Sequence, residues 1–295
     1  MKITFWGVRG SVASPGPLTQ KYGGNTSCVQ IETESGHDLI LDSGTGIRHL
    51  GKLLATRSTP INILLSHSHW DHVQGYPFFE PNYQRDREIN VFSHPIKTDN
   101  RRCPLRDQLD GFHFPLEASD VISNSNFYKT NDVEQHLSTQ YDINLKRKPI
   151  NHPGSGSAFL IEEDGVTCAY VTDNELDPPY QASTTWDEWV NFLHRVDVLI
   201  HDAQYTEDDM PHKHGWGHSL ITQVRQLARD AEVGALVMFH HDPDRSDSEI
   251  DEIQRTNEKI LKETCSSSKS LCAAEGMQIS LTKPILGGDT KIELL

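Results

Sequence analysis

Four side chains able to bind a metal fall within six positions in His67-Ser68-His69-Trp70-Asp71-His72, directly after the apolar run Ile63-Leu64-Leu65. Imidazole suits borderline cations such as zinc, and a carboxylate adds a harder donor. If the run is a strand, His67 and His69 share one face. A turn after it brings Asp71 and His72 round to a neighbouring point, as two adjacent cations would require. A polar surface loop is the bland alternative. It fits poorly, because polar groups at the end of a buried strand are costly unless something satisfies them. The chemistry expected is metal-dependent hydrolysis.

Side chains placed this closely need rigid elements behind them. Strand-like runs are expected at Ile3–Phe5, Cys28–Ile31, Leu39–Leu41, Ile61–Leu65, Ile89–Phe92, Ala158–Ile161, Thr167–Val171, Val196–Ile200, Leu236–Phe239 and Met277–Leu281. Asp164-Gly165 suits a hairpin turn with positive φ. Helical spacing of apolar residues appears at Ile47, Leu50, Leu53 and Leu54, at Leu220, Val224, Leu227 and Ala228, and at Ile250, Ile253 and Ile260. Thr185-Trp186-Asp187-Glu188 has the spacing of a capping box and opens a helix through Leu193. Strands and helices are interleaved with both hairpins and crossovers, so the class is mixed α and β. Residues 1–295 read as one domain, with an irregular excursion at about 95–150 that has no core of its own.

The bulk properties narrow the partners. Of 295 residues, 36% are hydrophobic and 23% charged, which supports a sizeable core. No run of eighteen apolar residues exists, and the start is too soon interrupted for a signal peptide, so no membrane partner is expected. The five cysteines (Cys28, Cys103, Cys168, Cys265, Cys272) are odd in number and never form a CxxC pair. That fits a reducing cytoplasm better than a disulfide framework. The net charge of −15 is wrong for gripping a long nucleic acid, whose phosphates call for a basic surface. Arg101-Arg102 and Lys146-Arg147-Lys148 are the only basic clusters.

The ligand-rich motif resembles the HxHxDH signature of the metallo-β-lactamase fold superfamily, and further segments follow in the family's order. These are the Asp turn at Leu41-Asp42-Ser43-Gly44-Thr45-Gly46, the His152-Pro153-Gly154-Ser155-Gly156-Ser157 turn, Tyr170-Val171-Thr172-Asp173, and the strand end Leu236-Val237-Met238-Phe239-His240. The resemblance spans about residues 1–245 and implies an α/β (α+β) fold, the four-layered αββα sandwich. It further implies that His67, His69 and His152 hold one divalent cation, that Asp71, His72 and His240 hold another, and that Asp173 bridges them. Water between the cations would be the nucleophile. Zinc is the expected metal, with manganese or iron as alternatives. His241 follows His240 directly, and a slip of one residue would exchange their roles; with His240 as ligand, His241 becomes a supporting or substrate-facing group. Asp42 would orient the ligand loop rather than bind metal.

Within that superfamily, Asp197-Val198-Leu199-Ile200-His201-Asp202-Ala203 and Gly215-Trp216-Gly217-His218-Ser219 look like the phosphodiesterase branch that includes ribonuclease Z. In that branch an acid pairs with a His that protonates the departing oxygen. Asp202 and His218 fill those positions, with Asp71, as catalytic candidates. The departure is Asp202, one methylene shorter than the branch's Glu. The alternative for His218 is a helix cap. His152 and Asp173 are 21 positions apart, room for a hairpin but not for a tRNA-binding arm. The expected substrate is therefore a small phosphodiester such as a cyclic nucleotide. A thioesterase or lactonase of the same fold is the alternative, and a non-catalytic nucleotide-binding protein the reading from another class. Gly7-Val8-Arg9-Gly10-Ser11 offers either an anion-binding backbone with Arg9 on phosphate or tight turns at a strand end. The aromatic stretches Gly75–Phe79 and Gly111–Pro115 offer a ring, Phe114 among them, for a base to stack on. Core packing is the alternative for these rings, as it is the expectation for Trp70. A homodimer is common in this group.

Overall fold

The computed structural model describes residues 1–93, 103–263, 269–284 and 288–295, and its layering follows from strands that are apolar on both faces. In the strand Ala235–Phe239, Ala235, Val237 and Phe239 join one core while Leu236 and Met238 join another. Successive side chains point to opposite faces of a strand, so such a strand must be covered on both sides.

Strands β1 (Lys2–Gly7), β2 (Cys28–Glu32), β3 (Asp38–Leu41), β4 (Ile61–Leu64), β5 (Glu88–Ser93) and β6 (Asn124–Lys129) lie in the first sheet. The second sheet holds β7 (Asn144–Pro149), β8 (Ser157–Glu163), β9 (Val166–Val171), β10 (Val198–Asp202), β11 (Ala235–Phe239) and β12 (Lys269–Cys272). The chain then returns to the first sheet as β13 (Gln278–Thr282) and β14 (Lys291–Leu294). The orders are β14-β13-β1-β2-β3-β4-β5-β6 and β12-β11-β10-β9-β8-β7. Each sheet has a parallel half, β3 to β6 and β9 to β12, beside an antiparallel one.

Three cores separate four layers, the αββα sandwich. Phe5, Leu41, Leu64, Phe159, Tyr170 and Phe239 fill the space between the sheets. Helix α1 (Ile47–Leu54) covers the outer face of the first sheet with Leu50 and Leu54, and α2 (Trp70–Val73) is a single turn beside it. Helix α3 (Val133–Tyr141) seats Val133 and Leu137 at the end of the inner core. Helices α4 (Trp186–Phe192), α5 (Ile221–Asp230) and α6 (Asp247–Glu263) cover the second sheet through Trp189, Val224, Leu227 and Ile250. The capping box of Thr185 and Glu188 forms as its spacing predicts.

The 95–150 region differs from expectation. Residues 103–123 are short turns, but β6, α3 and β7 follow, and β6 and β7 close one edge of each sheet. An edge strand has one hydrogen-bonded neighbour and tolerates polar residues, so Asn-Ser-Asn-Phe-Tyr-Lys carries no apolar run to betray it. Cys28, Cys103, Cys168 and Cys272 are buried and free, while Cys265 and the Arg101-Arg102 pair lie outside the described residues. Among the described residues no helix is long and apolar enough to cross a membrane.

Candidate metal centre

The parallel strands end on one edge of the sandwich, and the ligand-type residues follow those ends. Asp42 comes after β3, His67 to His72 after β4, Asp173 after β9, Asp202 closes β10, and His240 comes after β11. The carboxyl ends of parallel strands are where open α/β sheets place their sites. Three of these residues, Asp42 (φ 62°), Asp173 (φ 48°) and His240 (φ 60°), stand in the left-handed region. Each costs about 1 kcal/mol or more and persists only where its surroundings fix it.

Two groups of donors converge, His67, His69, His152 and Asp173 in one and Asp71, His72, Asp173 and His240 in the other, each with its donor atoms within 4.8 Å of one another. Asp173 belongs to both. Its Oδ2 lies 3.5 Å from His67 Nε2 and 3.6 Å from His152 Nε2, whereas its Oδ1 lies 3.1 Å from the Nε2 atoms of His72 and His240. Asp71 Oδ2 approaches the same two Nε2 atoms at 3.3 and 3.1 Å and accepts the Ser11 amide at 2.8 Å.

The outward nitrogens are held by other groups, which fixes the inward ones. His72 Nδ1 donates to Asp42 Oδ2 at 2.8 Å, His152 Nδ1 to the Gly217 carbonyl at 3.0 Å, and His240 Nδ1 to Gln204 Oε1 at 2.9 Å. Ser66 Oγ gives its proton to Asp42 at 2.8 Å, so it accepts from His67 Nδ1 at 3.1 Å. Asp42 also accepts from the Ser66 amide and from Tyr170 OH, 2.7 and 2.8 Å away. It orients two imidazoles and touches no other member of the cluster's centre. The buried Nε2 atoms of His67 and His72 are reached by no hydrogen bond. Orphaned imidazole nitrogens facing shared carboxylate oxygens are the donor chemistry of a cation site.

Burial opposes charge on Asp71 and Asp173, but the surrounding imidazoles hold both carboxyls well below the usual range. Burial pushes His67 down and His152 to about 4, which leaves both neutral and able to donate lone pairs. His218 moves the other way. Burial disfavours its charge, yet Asp202, 2.7 Å from Nδ1, raises it to about 9. The shorter acid therefore reaches. The cap reading of His218 falls away, since Leu220 is the N-cap of α5. The His218 ring stacks on His240 with centroids 5.1 Å apart and lies 5.3 Å from His152.

Two substrate-binding expectations change. Arg9 is fully buried and donates to the carbonyls of Gly23, Asp242 and Arg245 at 2.8, 3.0 and 2.6 Å, so it ties loops together instead of meeting phosphate. His241 turns away from the cluster, with Nε2 2.9 Å from the Ala273 carbonyl, and burial drives it down to about 3. The structure thereby separates it from His240. Gly10 is needed for close approach, since a Cβ there would lie 2.5 Å from His240 Nδ1. In the aromatic stretches Tyr76 and Phe79 are core, while Phe114 is half-buried against the exposed Phe78, ring centroids 5.3 Å apart. Trp70, expected to pack, is 59% exposed.

Sequence reasoning missed Gln204, Tyr170 OH and Glu175. Glu175 is buried and its two oxygens accept the amides of Gly215 and Gly217 at 2.8 and 3.0 Å. That clamps the loop whose carbonyl holds His152. The repeated glycines of Gly215-Trp216-Gly217 were the available signal; Gln204 and Glu175 had none.

A family model described as a beta-lactamase superfamily domain matches residues 37–241. The chain is 20% identical over 265 residues to a ribonuclease Z of Oceanobacillus iheyensis, covering 76% of this chain and 85% of that protein. Among solved structures it superposes on the short form of human tRNase Z with a TM-score of 0.59 at 19% identity, over 95% of this chain and 99% of the other. Unliganded yeast PDE1 gives a TM-score of 0.66 at 14% identity, over 94% and 98% of the two chains.

Proposed function

The chain belongs to the metallo-β-lactamase superfamily, in its ribonuclease Z-like branch, and on that premise we propose that it hydrolyses a small phosphodiester, with cyclic nucleotides the favoured class, at a centre of two divalent cations. The family is one of metal-dependent hydrolases. The finer reading rests on one observation, the Asp202–His218 pair seated against the same imidazoles that form the metal cluster.

His67, His69 and His152 would hold one cation and Asp71, His72 and His240 the other, with one oxygen of Asp173 for each. Zinc, manganese or iron suits this donor set, and such ions supply Lewis acidity toward phosphoryl oxygens and acidify water. The remaining work belongs to the chain. Asp42, Ser66, Gly217 and Gln204 fix the imidazole tautomers. Asp202 occupies His218 Nδ1, which leaves Nε2–H as the proton that His218 can give. When the phosphorus–oxygen bond to the leaving group breaks, that proton goes to the departing alkoxide and water supplies the oxygen to phosphorus. The thiolate expelled from an acyl thioester is stable and needs no such donor, so the pair favours a phosphodiester over a thioester.

Small size is supported by the segment between His152 and Asp173, which holds little besides the short turn after His152 and the hairpin of β8 and β9. In the described basic cluster, Arg147 pairs with Glu134 at 3.2 Å and Lys148 with Glu188 at 3.7 Å. The test is a substrate panel with zinc- or manganese-loaded protein. We expect turnover of bis(p-nitrophenyl) phosphate and of at least one cyclic nucleotide. No turnover of any diester by metal-loaded protein would sink the proposal. Turnover of thioesters or lactones alone would replace it, and preferred cleavage of precursor tRNA would overturn the small-substrate reading.

A further inference from the structure

We propose that the exposed indole of Trp70 is the stacking platform for the substrate's nucleobase, beside the metal centre. The inference rests on the phosphodiesterase reading of that same centre and names the part of the substrate that the metal ligands do not touch.

Trp70 stands between two ligand residues, His69 and Asp71, at the first position of α2. Exposing most of an indole forfeits burial of a large apolar surface, and such rings are normally sunk in a core or an interface. Two other tryptophans behave that way: Trp189 is fully buried, and Trp6 donates its indole N–H to Gln30 at 3.0 Å. The Trp70 side chain has no ring contact and no hydrogen bond among the described residues. It forms part of the wall between two cavities of about 430 and 320 Å³. His69, a member of the donor cluster, lines the first, which places that cavity beside the cluster. Phe78 and Phe114, edge to face, line the second.

The chemistry of the walls selects the occupant. Gln108 and His113 line both cavities, Gln74 one of them, and Ser11 and Ser68 add hydroxyls. An acyl chain could cover the apolar walls of Trp70, Val73, Phe78 and Phe114 but would offer no hydrogen bond to the amides of Gln74 and Gln108 or the imidazole of His113. A second phosphate would be repelled, since Asp107 and Asp110 line the cavity next to His69. A flat, uncharged ring with hydrogen-bonding edges fits: its face on the indole, its edges toward amide and imidazole. Stacking on an aromatic side chain is worth about 1–3 kcal/mol per base, close to tenfold or more in affinity.

The other strongly exposed indole, Trp216, lines neither cavity and serves as a control. Metal-loaded protein is titrated calorimetrically with adenosine 5′-monophosphate and with ribose 5-phosphate. The base should tighten binding by about tenfold or more. Trp70→Ala should abolish that preference, Trp70→Phe should keep most of it, and Trp216→Phe should leave it intact, with metal content measured for each. Equal binding of the two ligands by the wild type, an unchanged preference in Trp70→Ala, or an equal loss in Trp216→Phe would each overturn the proposal. Because binding is read without turnover, a protein that stacks the base yet cleaves no diester would refute the catalytic reading and leave this one standing.

Discussion

Asp42 shows how a side chain outside the donor set controls it. One carboxylate accepts from His72 directly and from His67 through Ser66, and it also holds Tyr170 from the opposite sheet. Asp42→Asn replaces an acceptor oxygen with an N–H donor, so at least one of these partners must turn. We expect metal affinity to fall by about 10–100-fold, read by competition with a chromogenic chelator. His218→Ala removes a proton donor and no member of the proposed donor set. The expected loss in kcat/KM is about 10²–10⁴-fold for an alkyl leaving group and far smaller for p-nitrophenolate, with metal content unchanged. Equal losses for both leaving groups would rule out the donor role. The candidate donors were legible because the motif packs four of them into six positions. Arg9 and His241 were misread because residue type does not reveal direction: both carry groups suited to phosphate, and both spend them on backbone carbonyls.

At the scale of elements, the loop before α5 is the most exacting piece of backbone. A Cβ on Gly217 would lie 2.0 Å from His152 Nδ1, and its φ of +93° is itself unfavourable for other residues. Gly165, in the β8–β9 turn, has a φ of +74° but open space around it. Gly217→Ala should therefore displace His152 and lose metal, whereas Gly165→Ala should cost only backbone strain of about 1–2 kcal/mol in a urea titration and keep its metal. Equal behaviour of the two would mean that His152 is held by something other than the loop. The central strands could be read from the sequence because burial on both faces forces continuous apolar runs such as Leu236-Val237-Met238-Phe239. The edge strands β6, β7, β12 and β14 could not, because half of their surroundings are solvent or loop. The order of strands within each sheet was not legible either, since β1 pairs with β13 across most of the chain's length.

Across the whole molecule, the cluster joins the two sheets. His67 to His72 come from the first, and Asp173, Asp202 and His240 from the second, so bound cations would cross-link halves that otherwise meet through apolar packing and a few hydrogen bonds such as Tyr170 to Asp42. A ligand that binds only the folded chain stabilises it by mass action. Removing metal with EDTA should lower Tm by several degrees, and zinc or manganese should restore it where magnesium at equal concentration does less. A Tm indifferent to chelation, in protein shown to contain metal, would count against a cross-linking centre. The net charge of −15 bears on the substrate proposed for the centre and says nothing about fold.

His240 and Asp71 are 3.1 Å apart in space and 169 positions apart in sequence. During synthesis, then, the His67–His72 segment leaves the ribosome long before its partners exist. A nascent chain can offer a passing ion little more than a loose chelate, open to any metal of the moment. On the proposed reading, a cation held by Asp71, His72 and His240 could not be bound until β11 has been laid beside β10, so the metal that stays would be chosen by the finished sandwich and not by the motif that first advertised it.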